Sequence, residues 1–132
     1  LAQLSPKGHV LAVEANPLNF AMLQGNAMAN LLTNCVLYPV AVGSRSAAAV
    51  RIQHDSKNAG HSNLMADRTL KLDGKEPKAW NVTMTTLDAI YQSQPVLMSR
   101  VLVMKMDIEG FEGHALRGAA RFLREAAPCY IR

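Results

Sequence analysis

The sequence predicts an α/β domain: a mostly parallel sheet with helices on both faces, incomplete at both ends. Three observations carry this. Short apolar runs rich in Val and Leu alternate along the chain with stretches of helical spacing. Apolar residues make up 49% of the 132 and charged residues 18%, a composition that supports a packed core and argues against disorder. No internal repeat and no linker divides the chain, so residues 1–132 read as a single, partial domain.

The elements follow in order. "HVLAVE" (His9 to Glu14) is a short apolar run preceded by Pro6 and Gly8, and reads as a buried strand. Asn16-Pro17 then supplies an N-cap followed by a proline at the first helical position, where the missing N–H costs nothing. Leu18, Ala21, Met22 and Met28 recur at helical spacing, predicting a helix from Pro17 to about Asn30. "CVLYPVAV" (Cys35 to Val42) and "AAVRIQ" (Ala48 to Gln53) are the next strands. Residues 54–80 are polar and irregular, long enough to suggest a functional or mobile loop. "NVTMTT" (Asn81 to Thr86) reads as a strand whose Thr86 caps a short helix, "LDAIYQS" (Leu87 to Ser93). "RVLVMKMD" (Arg100 to Asp107) has the apolar run of a central parallel strand. "FEGHALRGAARFLRE" (Phe111 to Glu125) predicts one amphipathic helix with Leu116, Ala119, Ala120 and Leu123 inward, and "CYI" (Cys129 to Ile131) begins a last strand.

Composition also excludes function classes. Net charge is +4, but the basic residues are scattered and aromatics are only 5%, so neither an electrostatic stripe nor a stacking platform for nucleic acid is present. No apolar stretch approaches the roughly 20 residues that span a bilayer, so no membrane partner is expected. Cys35 and Cys129 sit in apolar contexts without paired spacing and read as buried, reduced thiols. Asn81-Val82-Thr83 fits a glycosylation sequon, read as chance in a chain with no secretory feature. The expected compartment is the cytoplasm.

In open parallel sheets ligands bind at the carboxyl ends of the strands, which singles out Glu14 and Asp107. A carboxylate at Glu14 suits the paired hydroxyls of a ribose, whether of a nicotinamide dinucleotide or of S-adenosylmethionine; it also suits a plain strand end or a helix entrance. Lys105 and Asp107 alternate onto one face of their strand, with Met104 and Met106 on the other. An ammonium near the end of an apolar strand needs a partner, which Asp107 or Glu109 supplies. Glu109 and Glu112 are ordinary acids for a helix start. Three neighbouring carboxylates also suit a divalent cation, but pairing with Lys105 is preferred and no metal is expected.

Together these residues resemble the FkbM family of S-adenosylmethionine-dependent methyltransferases. The resemblance rests on "KMDIEGFE" (Lys105 to Glu112), "LRGA" (Leu116 to Ala119), "VEANP" (Val13 to Pro17), "NCVLYPVAVGS" (Asn34 to Ser44) and "TTLDAI" (Thr85 to Ile90), in the family's order over nearly the whole chain. It implies a Rossmann-like class I methyltransferase sheet, with Glu14 on the cofactor ribose and Ala41 and Val42 against the adenine. Asp107 would sit beside the sulfonium and the acceptor hydroxyl. The family's usual reaction is methylation of hydroxyls on sugars or secondary metabolites, so the expected partner is a small-molecule or glycan hydroxyl.

The chain departs from the family in one respect. No Asp-x-Gly-x-x-x-Gly or Gly-x-Gly-x-x-Gly occurs, although in this fold such a strand and turn cradle the methionine part of the cofactor. That strand lies between those ending at Glu14 and Asp107. With Leu1 at one end and Tyr130-Ile131-Arg132 at the other, the chain reads as a segment of something longer, a poor cofactor binder by itself. Asp107 is the first candidate for orienting or deprotonating the hydroxyl, Lys105 fixes its position, and His61 is a second candidate base from the polar loop. His114 reads as a surface residue. The competing readings are an NAD-dependent oxidoreductase and a non-catalytic module of the same fold.

Overall fold

The computed structural model describes residues 7–54, 62–64, 79–108 and 110–132. Strand β1 (Val10–Val13) pairs in parallel with β2 (Cys35–Tyr38), Val10 facing Cys35 and Val13 facing Tyr38. Between them runs α1 (Pro17–Ala29), capped as its sequence requires: the Asn16 side chain accepts the Leu18 N–H at 2.9 Å, and Pro17 opens the first turn. The helical spacing does not translate into burial. No residue of α1 is buried, and Met22 and Met28 are 59% and 71% exposed. Gly25, in mid-helix, has no atom of the described residues within 4 Å of where a Cβ would stand. Gly25→Ala should therefore stabilise the protein by about 0.5–1 kcal/mol, read as a raised Tm, by removing glycine's excess freedom in the unfolded chain.

The strand expected over 35–42 is broken at Pro39, which has no N–H to give a ladder. The chain leaves the first sheet there. β3 (Ala41–Val42) pairs in parallel with β6 (Ala79–Thr85), which lies antiparallel to β4 (Ala47–His54), itself antiparallel to β5 (Ser62–Leu64). A third, parallel pair joins β7 (Val103–Met104) to β8 (Tyr130–Ile131). The helices after β6 are α2 (Leu87–Ser93), α3 (Pro95–Met98), α4 (Glu112–Arg117) and α5 (Ala120–Glu125). The content is mixed α/β, but among the described residues the expected single, mostly parallel Rossmann-like sheet is replaced by three small sheets, the largest of them largely antiparallel.

Each parallel pair turns one edge away from its partner strand. Val10 and Glu14 donate to the Asn34 and Tyr38 carbonyls at 2.9 and 3.1 Å, turning the alternate residues Leu11 and Val13 to the opposite edge. Likewise Met106 donates to the Arg132 carbonyl at 2.7 Å and Arg132 to the Met104 carbonyl at 3.0 Å, which turns Val103 and Lys105 away from β8. Among the described residues no strand pairs with either of these free edges. For the same reason the strand expected over 100–107 is only two residues long, with Leu102 and Val103 68% and 62% exposed.

Two cores result. In the first, Leu87, Ile90, Tyr91, Met98, Ala119 and Phe122 are buried, and Leu11 and Val13 of β1 and Met104 and Met106 around β7 pack against them. The second joins Ala41, Ile52, Val82 and Met84 within the mixed sheet.

The helix expected over 111–125 is two short helices, broken at Gly118 and Ala119. The break changes which side chains face inward: Ala115, Ala119 and Phe122 are buried, whereas Leu116 and Ala120 are exposed. Gly118 sits at the break because nothing larger fits. A Cβ there would overlap the Gly43 carbonyl oxygen and lie 3.2 Å from the Thr86 Cβ. The contact is held from both sides, with Asp88 N–H donating to the Gly118 carbonyl and Gly43 N–H to the Thr85 carbonyl, each at 2.9 Å. The Asp88 carboxylate then accepts the Arg121 and Phe122 N–H groups at 3.1 and 2.8 Å, capping α5 across 33 and 34 residues of chain. Thr86 caps α2 as expected, accepting the Ala89 N–H at 3.0 Å. Both cysteines are free, but neither is buried: Cys35 is half-buried and Cys129 exposed.

Candidate active site

Glu14 follows the last residue of β1, and one of its oxygens turns back to accept the Asn16 N–H at 2.7 Å. Asn16 itself is wholly buried, so "EANP" is a tight hinge from strand to helix. The second oxygen of the half-buried Glu14 has no partner among the described residues. The carboxylate thus serves the helix entrance with one oxygen.

Lys105 and Asp107 do pair, Nζ to Oδ2 at 3.3 Å. The pair is not buried, however: the side chains are 67% and 66% exposed. At that exposure the contact is worth at most about 1 kcal/mol. The alternation is as expected, with Met104 and Met106 turned into the first core and Lys105 and Asp107 away from it.

Ala41 and Val42 lie where the two cores meet. Ala41 is 2% exposed within the second core, and Val42 packs against the first. The second core also ties the two acidic strand ends together. Ala15, next to Glu14, and Phe111, four residues beyond Asp107, both pack against the cluster that contains Ala41. Phe111 stacks on His114 with ring centroids 4.4 Å apart, and His114 is exposed, in keeping with a surface role. His61 and Glu109 lie outside the described residues. Among the described residues no three His, Cys, Asp or Glu side chains gather to hold a metal ion.

Glu112, read from sequence as a helix-start acid, does something more specific. Its Oε1 accepts the Ile108 N–H at 3.1 Å, reaching back over the turn that follows Asp107. Hydrogen bonds from its own backbone N–H, then from those of Ile108 and Gly110, hold its carboxyl below the usual carboxylate range, against partial burial and the Asp107 charge.

A family model for the methyltransferase FkbM domain matches residues 1–132. The chain belongs to the FkbM methyltransferase family. Comparison with curated proteins and with solved structures finds no match. Within this FkbM domain the stretches that carried the resemblance divide into two kinds. "VEANP" and "KMDIEGFE" form the two acidic strand ends. The glycine of "AVGS", "TTLDAI" and "LRGA" meet at the Gly43, Thr86 and Gly118 contact and serve packing. The roles of Glu112 and Asp88 escaped the sequence reading. The spacing from Ile108 to Glu112 and from Asp88 to Phe122 was there to see, but only a fold shows which backbone N–H each acid meets. No helix among the described residues is long and apolar enough to cross a membrane.

Proposed function

We propose that this FkbM domain serves an S-adenosylmethionine-dependent O-methyltransferase acting on a hydroxyl of a sugar or secondary metabolite in the cytoplasm. The observation that supports this most is that Glu14 and the Lys105–Asp107 pair both lead into segments that pack on the second core. Each stands at the carboxyl end of a strand, and the residues flanking them, Ala15 and Phe111, pack on one cluster. The donor chemistry fits the cofactor's ribose, because the Glu14 carboxylate can accept from its hydroxyls. Ala41, a member of that cluster, and its neighbour Val42, which packs against the first core, would flank the adenine.

When bound, S-adenosylmethionine supplies an activated methyl group on a sulfonium. What remains for the protein is alignment and removal of the acceptor's proton. Asp107 is exposed and acceptor-only when ionised, so it can take a hydrogen bond from the acceptor hydroxyl and then its proton. Lys105, 3.3 Å away, holds the carboxylate in place. His61 is a second candidate base.

Isothermal titration of the intact protein with S-adenosylmethionine, its demethylated product and NAD tests the assignment. Binding of the first two without NAD is expected. Binding of NAD alone would move the protein to the oxidoreductases, which use the same ribose contact. No binding at all would leave a non-catalytic module of the family.

A further inference from the structure

The turn between β7 and α4 is anchored at both ends. Before it, Met106 is bonded to Arg132 at 2.7 Å and packs on the first core. After it, Phe111 packs on the second core. At its tip Gly110 takes φ +86°, and a Cβ placed there would meet no atom of the described residues within 4 Å. Ile108 is gripped from both sides: its carbonyl accepts the Phe111 N–H at 3.2 Å, and its N–H donates to Glu112 Oε1 at 3.1 Å.

The Ile108 N–H belongs to the rigid peptide plane that begins at the Asp107 carbonyl carbon. A group that fixes this N–H therefore restrains the ψ angle of Asp107, and with it how the turn and α4 sit against the Asp107 side chain. We propose that Glu112 is the positioning residue of the site: its carboxylate clamps the Ile108 N–H and so sets the placement of the Asp107 carboxylate relative to the turn and α4, without touching the acceptor. The inference rests on Asp107 being the residue that handles the acceptor hydroxyl. The depressed acidity range of Glu112 agrees with it, since a carboxylate committed to backbone N–H groups stays ionised and accepts rather than gives protons.

The test uses the intact protein with two variants, Glu112→Ala and Glu112→Gln, and two readouts. Amide hydrogen exchange at Ile108 reports the clamp directly, and steady-state methyl transfer reports its use. Glu112→Ala is expected to speed exchange at Ile108 about tenfold. It should lower kcat by about 100-fold, the scale of a misplaced reacting group, while cofactor Kd and KM hold. Glu112→Gln, whose amide oxygen can accept the same N–H, should restore most of both. Unchanged exchange in Glu112→Ala shows that the clamp does not exist and overturns the proposal. Faster exchange with unchanged kcat overturns the positioning role. A fall in kcat that follows a loss of cofactor affinity or Tm also overturns it, in favour of a merely structural acid. A wild type that transfers no methyl group, with Ile108 still protected, overturns the reaction assignment and the catalytic half of the proposal together, leaving the clamp as a feature of the turn.

Discussion

Replacing Gly118 with alanine is expected to destabilise the protein by roughly 3 kcal/mol, as overpacking at a rigid contact does, seen as a fall in Tm of roughly 10 °C. The size of the effect follows from what the new methyl would meet. The Gly43 carbonyl oxygen would be overlapped, its carbon would lie at 3.1 Å, and the Thr86 Cβ at 3.2 Å. Two of these atoms are backbone, and the third is the branched carbon of a capping residue. None belongs to the end of a flexible side chain that could swing aside. Relief would require α4 and α5 to shift together, against the Asp88 cap and the Asp88 to Gly118 hydrogen bond. Gly113→Ala is the matched comparison, since among the described residues its Cβ would meet only the tip of Arg117 at 3.8 Å. An unchanged Tm for Gly118→Ala would show that the junction is loose and that "LRGA" needs another explanation.

Asp107→Asn should have the opposite signature, with little effect on folding and a large one on turnover. The Lys105–Asp107 contact is two-thirds exposed, so its loss should cost under about 1 kcal/mol of stability. The amide cannot accept a proton from the acceptor hydroxyl at neutral pH. Loss of a general base lowers turnover by about 100- to 10,000-fold. Cofactor affinity should stay within about tenfold, one decade being about 1.4 kcal/mol, because the ribose contact at Glu14 is untouched. The measurement is initial-rate methyl transfer beside a binding titration on the same preparation. Wild-type turnover in the variant would remove Asp107 from the mechanism and pass the role to another base, His61 first among them.

What could be read from the sequence was local. The caps at Asn16 and Thr86 were legible because a cap is made by a side chain and the N–H two or three residues on. The short strands around Val10, Cys35, Ala47 and Ala79 were legible from their apolar and β-branched runs. What failed was whatever depends on a distant neighbour. Pro39 stood in plain view, but that the chain changes sheets there depends on β6, some forty residues further on. A glycine in a helical run has only a modest intrinsic cost, so Gly118 did not announce a break; its close approach to Gly43 did. The apolar run from Val101 to Met106 promised a buried central strand, yet a strand is buried only if both neighbours and both faces are supplied.

The candidate site divides in the same way. The acids at the strand ends were found by position, since the carboxyl end of a parallel strand is where such sheets bind ligands. Their surroundings were not. That Lys105 is solvated, that Glu14 spends one oxygen on Asn16 and that Glu112 serves Ile108 each required coordinates.

The open edges of β1 and β7 bear on what else can pair with the protein. Leu11, Val13, Val103 and Lys105 each present a backbone donor and acceptor with no strand opposite among the described residues, beside the bare side chains of Leu102 and Val103. Such an edge is a template for any extended chain, including another molecule of the same kind. Of the four, only Lys105 carries the charge that usually keeps edges apart, and it is already turned toward Asp107. Either edge can therefore receive one further extended chain, from elsewhere in the protein or from a second molecule.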